Sequence, residues 1–224
     1  EDKKSTEIIK PFVVGDDIRK YQINFKDRYL IFTRRGTKIN DYPAIEKHLS
    51  QFKDRLMPKP KGWKGNDWKG RKPGAYKWYE IQDTVEYYEE LEKPKIVYPD
   101  IAKESRFSFD EENLHFGNTV YFISLDDKYL LGILNSRLII SYFKRTASVL
   151  GDADKAGRIR WFSQNVINIP IRVIRLDDPE DIRNQNEMIK LVSLMLDLNK
   201  QNKNNISDNH KSIIQRQIEA TDRE

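Results

Sequence analysis

The sequence predicts an α+β fold, in which a mixed or antiparallel sheet packs with helices and is followed by a C-terminal antiparallel helical pair. Three observations support this class. The runs RYLIFT (28–33) and TVYFISL (119–125) are short, apolar and β-prone. Apolar residues recur at helical spacing in segments 41–56 and 128–144. From about residue 179 the composition changes to Asn, Gln, Lys and Glu with few aromatic side chains.

The N-terminal part is predicted to contain a helix between two strands. RYLIFT is the first strand. Segment 41–56 is the helix, because Asp41 can cap its N-terminus and Pro43 fits its first turn. The run KWYEI (77–81) is predicted to be the second strand, and TVEYYEEL (84–91) a short acidic helix. The core face of the first helix is formed by Ile45, Leu49, Phe52 and Leu56.

The central part is predicted to be mainly β-structure followed by one long helix. KPKIVYPDI (93–101) is a strand, and RFSFDEENLHF (106–116) alternates across an Asp-Glu-Glu-Asn turn, which indicates a hairpin. TVYFISL adds another strand. Asp126 and Asp127 can then cap a helix over KYLLGILNSRLIISYFK, which carries a broad apolar stripe.

The C-terminal segment is predicted to form two antiparallel helices joined by the short connection KNNISDN, with Ser207 or Asp208 as the second N-cap. The packing seam consists of Met188, Leu191, Met195 and Leu198, with Ile214 and Ile218 on the second helix. We therefore divide the chain into a domain over 1–178 and a helical extension over 179–224. The chain opens without Met and stops within a helical pattern, so we expect it to be part of a longer protein and the extension to be truncated.

Composition excludes several classes of protein. There is no Cys, which excludes disulfides and thiolate zinc sites and is typical of a reducing cytoplasmic compartment. The three His residues lack the spacing of metal ligands. No apolar run is long enough to span a bilayer, and the first residues lack the apolar core of a signal peptide.

The positive charge is concentrated in residues 58–78, which we call the basic loop. It contains six Lys and one Arg against a single acid, Asp67, so its net charge is +6 while that of the whole chain is +5. Three of the four Trp lie in it. Cations neutralise phosphates and indole rings stack on bases or sugars, so the pattern indicates nucleic acid binding. The plainer interpretation is a solvated loop, which does not account for its Trp residues.

A second basic segment, 146–161, ends in RIRW and contains the fourth Trp. Within these segments, and at Gln164 just after the second, Arg71, Arg158 and Arg160 suit guanine, Asn66 and Gln164 suit adenine, and the Lys residues suit phosphate. Trp63 and Trp68, flanked by Gly and Lys, are typical contact residues, whereas Trp78 is expected to pack in the core. The candidate DNA contacts are Lys59, Lys61, Trp63, Lys64, Asn66, Trp68, Lys69, Arg71, Lys72, Lys155, Arg158, Arg160, Trp161 and Gln164.

Motifs for catalysis are weak. The spacing GNDWKGRK (65–72) matches only half of a phosphate-binding P-loop. A Mg²⁺-dependent nuclease using Asp100, Asp126 and Lys128 is one alternative, although short acidic patterns recur by chance. A protein-interaction module with exposed Trp residues is another. The sequence predicts no catalytic or metal site in this chain.

The segments IIKPFVVGDDIRKY, RYLIFT, YPAIEKHL, KPKIVYPDI, GNTVYFI, YLLGILNSRLIISYFK and IPI occur in an order that resembles the TaqI-like C-terminal specificity domain. In that family the domain follows an adenine-specific DNA methyltransferase, including type IIG restriction-modification enzymes, and recognises the DNA target. The resemblance covers roughly residues 8 to 175, and the helical tail resembles the helices that follow this domain.

The resemblance implies double-stranded DNA as the partner, together with an N-terminal methyltransferase, and possibly a nuclease, in the same polypeptide. The Asn/Asp-Pro-Pro-Tyr motif and the methyl-donor Gly motif are not found in this sequence. We therefore expect no enzymatic activity and no cofactor in this fragment, and S-adenosylmethionine and possibly Mg²⁺ in the parent enzyme.

Overall fold

The computed structural model describes residues 3–147, 149–151, 157–204 and 207–223. The chain forms two compact units. The first unit consists of Glu1–Phe12 and Asp27–Glu90, and the second of Val13–Lys26 and Leu91–Glu224.

The described residues form strands and helices of mixed length. The strands are β1 (Ile9–Val13), β2 (Ile18–Arg19), β3 (Gln22–Ile23), β4 (Tyr29–Ile31), β5 (Lys95–Pro99), β6 (Ile101–Ala102), β7 (Ser108–Asp110), β8 (His115–Phe116), β9 (Val120–Ile123), β10 (Val149–Leu150) and β11 (Arg158–Arg160). The α-helices are α1 (Pro43–Ser50), α2 (Lys53–Leu56), α3 (Lys128–Leu134), α4 (Arg137–Thr146), α5 (Ser163–Val166), α6 (Pro179–Asn204) and α7 (Asp208–Thr221). Short 3-10 helices span Lys3–Glu7, Gly15–Asp17, Ile39–Asp41 and Tyr88–Glu92. This content confirms the predicted α+β class.

In the first unit, β1 pairs antiparallel with β4, which confirms the RYLIFT strand. The predicted helix over 41–56 is divided into α1 and α2, with Pro43 at the first helical position. Asp41 is not the N-cap; it ends the preceding 3-10 helix, and Tyr42 occupies the cap position without a side-chain hydrogen bond. A small core forms around Ile8, Ile39 and Ile45.

The predicted strand KWYEI is wrong, because residues 78–80 form a turn. The Glu80 amide donates to the Lys77 carbonyl at 3.0 Å, which closes the backbone on itself. The predicted acidic helix appears only as the 3-10 helix Tyr88–Glu92.

In the second unit, β5 lies between β7 and β9, with both pairs antiparallel. Every residue of β5 is buried. The predicted hairpin over 106–116 is wrong in its pairing, because β7 pairs with β5 rather than with β8 among the described residues.

A buried ion pair explains how a Lys is accommodated in the central strand. Lys95 Nζ lies 2.6 Å from Asp110 Oδ2, and neither side chain is exposed. Lys95 also donates to the Leu91 carbonyl at 2.6 Å, and Asp110 accepts the Leu114 amide at 3.1 Å. These additional bonds offset part of the cost of removing two charges from water.

The predicted helix over 128–144 is interrupted at Asn135 and Ser136. Asp127 caps α3 by accepting the Leu130 amide at 2.9 Å, as predicted, and Ser136 occupies the N-cap of α4. The Asn135 side chain makes two hydrogen bonds to the backbone of Phe107. The break therefore places a buried amide where its two bonds satisfy the Phe107 amide and add to the bond that the Phe107 carbonyl accepts from the Tyr21 amide.

The C-terminal helices α6 and α7 pack together, which confirms the predicted pair, although residues 205 and 206 of the connection lie outside the described part. Met195, Leu198 and Ile214 are buried, as the seam predicted. α6 also packs on α3, and a Cβ at Gly132 would lie 2.6 Å from Met188 Sδ, so a larger residue there would require the Met188 side chain to shift. The boundary near residue 178 remains a prediction. No described helix is both long and apolar enough to cross a bilayer.

Candidate nucleic-acid interface

The basic loop closes on itself through its backbone. Pro58 and Arg71 form a parallel β-bridge, the Lys59 amide donates to the Arg71 carbonyl at 3.0 Å, and the Arg71 amide donates to the Met57 carbonyl at 2.9 Å. Gly62 adopts φ = +86°, a conformation that favours Gly, and permits the turn at the end of the loop. Residues 59–70 thus extend from a hydrogen-bonded neck, which Met57, Pro58 and Arg71 form.

The Arg71 side chain holds this neck to the segment that follows. Its Nε donates to the Leu56 carbonyl at 2.7 Å and its Nη1 to the Glu80 carbonyl at 2.7 Å. Its Nη2 donates to the carbonyls of Trp78 at 2.7 Å and Lys77 at 3.3 Å. The donors needed for a bidentate pair with guanine are therefore engaged within the protein. We assign Arg71 to positioning the loop and withdraw it as a base reader.

The two Trp at the end of the loop contact each other. The rings of Trp63 and Trp68 meet edge to face with centroids 5.3 Å apart, and Trp68 Nε1 donates to the Arg71 carbonyl at 3.1 Å. Trp68 is half-buried, whereas Trp63 is 43% exposed. Trp68 therefore supports Trp63, which presents its ring to solvent. Trp78, predicted to pack in the core, is half-buried.

Most cations of the loop point to solvent. Lys59 is half-buried, and its Nζ lies 3.4 Å from the Gly65 carbonyl, so part of its hydrogen bonding is internal. The remaining polar candidates are all exposed: Lys61, Lys64, Asn66, Lys69 and Lys72. The structure thus brings the selected Lys residues together on one braced loop.

The second basic segment lies in the second unit. β11 pairs with β10 and β6, so that Ile159 is buried while Arg158 and Arg160 share the opposite face. Arg158 is exposed, and the Arg160 guanidinium lies 5.2 Å from the Phe162 ring centroid. Gln164 is exposed on α5. Lys155 lies outside the described residues.

Trp161 does not face solvent. It is 1% exposed, its ring stacks on Phe143 with centroids 4.2 Å apart, and Phe107 meets it edge-on at 5.4 Å. A base cannot reach this ring without opening the core, so we withdraw Trp161 as a DNA contact. Its position beside two Arg in the sequence suggested a contact, whereas its role is packing.

A third basic segment lies outside the sites predicted from the sequence. The turn RRGTK (34–38) contains three cations and no acid, and Arg34, Arg35 and Lys38 are exposed. The same charge criterion that selected the basic loop could have found it.

The described residues contain no group of three or more His, Asp or Glu side chains placed to hold a metal ion. Of the acids near the proposed nuclease set, Asp127 is engaged in capping α3.

Two comparisons show which known proteins this chain resembles. MmeI, a type IIL restriction-modification enzyme solved in complex with DNA, has a similar structure with a TM-score of 0.56 and 15% sequence identity. The match covers 98% of this chain and 28% of the MmeI chain, so this chain spans about a quarter of that enzyme, and the likeness concerns the fold. The family model of the TaqI-like C-terminal specificity domain matches residues 10–171, which is well over half of the sequence. The chain therefore belongs to the TaqI-like C-terminal specificity domain family.

Proposed function

We propose that this chain is the DNA target-recognition domain of a restriction-modification enzyme or adenine-specific DNA methyltransferase. The observation that carries the proposal is the hydrogen-bonded basic loop, which carries the exposed side chains of Lys61, Lys64 and Lys69 together with the exposed ring of Trp63. Membership in a family of specificity domains, and a similar fold in an enzyme solved with DNA, support the same function.

DNA binding by the basic loop depends on its charge and on its preorganisation. Each Lys that neutralises a phosphate releases a condensed counterion, so several fixed cations bind a duplex strongly at low salt. Because Arg71 holds the neck of the loop through backbone carbonyls, the loop loses less conformational freedom on binding than an unbraced segment. Phosphate contacts set the register, and base contacts then supply specificity.

The catalytic steps belong, in this proposal, to other parts of the parent polypeptide. A methyltransferase domain, with or without a fused nuclease, would act on the DNA that this domain positions, with S-adenosylmethionine as methyl donor and Mg²⁺ for the nuclease. We place this parent enzyme, a type IIG enzyme or a methyltransferase without a nuclease, in the cytoplasm, which the absence of Cys suits.

Binding of the 224-residue chain to duplex DNA at several salt concentrations tests the proposal. If about five cations contact phosphates, the slope of log K against log salt should be about −4 to −5. Affinity that is the same at low and high salt, or absent at low salt, would contradict the proposed function.

The nuclease alternative is tested separately. We expect no methyl transfer and no cleavage when methyl donor and Mg²⁺ are supplied, and we expect Asp100→Ala and Lys128→Ala to leave DNA affinity nearly unchanged. Metal-dependent nicking that both substitutions abolish would replace the proposed function with the nuclease.

A further inference from the structure

The turn Arg34–Lys38 has a defined conformation. Gly36 adopts φ = +86°, and no atom lies within 4 Å of the position that its Cβ would take, so the turn faces open space. The Thr37 hydroxyl and amide both donate to the Arg34 carbonyl. Three cationic side chains therefore extend from a closed turn.

Glu80 links this turn to the basic loop. Its side chain accepts the Gly36 amide on Oε1 at 3.0 Å and the Lys77 amide on Oε2 at 2.8 Å. Its carbonyl accepts Nη1 of Arg71 at 2.7 Å. Glu80 is 4% exposed, so one buried residue is hydrogen-bonded to the turn, to the end of the basic loop and to its neck.

Further hydrogen bonds join the same segments. The Ile81 amide donates to the Thr33 carbonyl at 2.8 Å, and the Tyr79 hydroxyl donates to the Thr37 carbonyl at 3.2 Å. Arg35 Nη2 donates to the Gln82 carbonyl at 3.0 Å. The turn and the base of the loop are thus one hydrogen-bonded assembly within the first unit.

We propose that Arg34–Lys38 is a second phosphate-contacting element for the same duplex as the basic loop, and that Glu80 is the positioning residue that fixes the two relative to each other. This inference rests on the proposed DNA-recognition function. Phosphates along a duplex have fixed spacing, so cations on two loops act together only when the loops are held in register. A buried carboxylate that accepts one amide from each segment provides that register.

The neighbouring acidic segment offers a competing role for these Arg residues. Arg34 lies 4.2 Å from the centroid of the Tyr88 ring, and the Tyr88 hydroxyl donates to Glu89. Arg34 and Arg35 could therefore serve only to offset the acids of segment 83–92. In that case their replacement would leave DNA affinity unchanged, which the first arm of the experiment detects.

The first arm replaces the cations singly with Gln in the full 224-residue chain. Arg34→Gln, Arg35→Gln and Lys38→Gln should each weaken binding to any duplex and reduce the magnitude of the salt slope by about one unit. Lys190→Gln is the control, because Lys190 is 75% exposed on α6 in the second unit and carries the same charge. The control should leave the slope unchanged.

The second arm uses Glu80→Gln, for which charge and positioning predict opposite changes in DNA affinity. Glu80→Gln removes a negative charge, so charge counting alone predicts tighter DNA binding. A Gln has a single acceptor oxygen and cannot serve both amides, so the positioning role predicts weaker binding, by about tenfold. Hydrogen exchange should accelerate at the Gly36 and Lys77 amides. Glu86→Gln, at an exposed acid of the same unit, is the matched control and should not weaken binding.

The outcomes separate this inference from the proposed function. If the unaltered chain fails to bind duplex DNA, the proposed function is lost. If it binds with the expected salt dependence while the three cation variants bind equally well, or Glu80→Gln binds as well or more tightly, the inference alone is overturned. Should Glu80→Gln fail to fold, the cation variants decide the question, because none of them removes a bond to Glu80.

Discussion

Nη1 of Arg71 donates a 2.7 Å hydrogen bond to the carbonyl oxygen of Glu80, which anchors the neck of the basic loop to the turn after it. A guanidinium suits this role because its donors are arranged in a rigid plane and can reach several carbonyls at once. The same planar arrangement of donors is the reason that Arg71 was a predicted guanine contact. Burial lowers the pKa of Arg71, but an Arg in a protein stays charged.

We expect Arg71→Lys and Arg71→Ala to loosen the loop. The ammonium of Lys cannot reach the carbonyls of Leu56, Trp78 and Glu80 together, and Ala has no donor. Each change should therefore reduce the free energy of unfolding by about 1–3 kcal/mol. Chemical denaturation measures this loss. DNA binding should weaken on every sequence alike.

Lys72→Ala is the control for Arg71, since Lys72 is the adjacent cation and its side chain is exposed. It should leave stability nearly unchanged. If Arg71→Ala were as stable as Lys72→Ala and altered preference at a single base pair, Arg71 would be a base reader after all.

Lys61, Lys64 and Lys69 should act as phosphate anchors. Replacing any of them with Ala should weaken binding to cognate and random duplexes equally and reduce the magnitude of the salt slope by about one unit. Fluorescence anisotropy over a salt series measures both quantities. A change of preference among single-base variants would show instead that the Lys contacts a base.

Arg158 and Arg160 remain the proposed base readers, on the shared face of β11. Their replacement with Ala should cost about 1–3 kcal/mol on the cognate site alone and relax preference at one base pair. A binding or methylation assay of the full-length parent across single-base site variants measures this effect. An equal loss of affinity on all sites would mean that this strand contacts only the DNA backbone.

Trp63 and Trp161 should respond in opposite ways to substitution. Trp63→Ala should weaken DNA binding by about 1 kcal/mol, because the exposed part of its ring can stack on a base, and should destabilise the fold much less than Trp161→Ala. Trp161→Ala should reduce the free energy of unfolding by about 3–5 kcal/mol, because it leaves a cavity beside Phe143. Trp161→Phe should cost less, since Trp161 Nε1 has no hydrogen-bond partner within the described structure. Thermal melts and binding titrations together check the contrast.

The stability of the second unit should depend on pH through Asp181. Hydrogen bonds from the Arg175 side chain and backbone lower the pKa of Asp181 from 3.8 to about 2. A lowered pKa means that the folded state binds this proton less readily than the unfolded chain, so the stabilisation is complete above about pH 4 and is lost as the pH falls toward 2. Unfolding measured between pH 5 and 2 should show a steeper decline in the unaltered chain than in Asp181→Asn. Parallel declines would contradict this role.

Local patterns in the sequence predicted much of the fold. β-prone runs located β4, β5 and β9, and helical spacing of apolar residues located α1, α6 and α7. Asp127 was recognised as a cap because capping needs only a short polar side chain before the helix. These features depend on residues close together in the chain, which is why a single sequence reveals them.

Two of the errors, in the strand KWYEI and in the hairpin, have the same physical cause. KWYEI has strand-like composition, yet it forms a turn in which Glu80 accepts the amide of Gly36, and no local pattern encodes a partner 44 residues away. The hairpin over 106–116 failed because β7 pairs with β5, where Asp110 meets Lys95 in the core. In both places long-range contacts override local preference.

The sequence by itself determined the family, the α+β class and the concentration of positive charge in residues 58–78. Only the tertiary structure decided which of those side chains are available to a partner. Arg and Trp each serve equally well inside a protein and on its surface, because a guanidinium binds carbonyls as readily as guanine and an indole packs on Phe as readily as on a base. Their assignment depends on whether distant residues such as Glu80 and Phe143 fold against them.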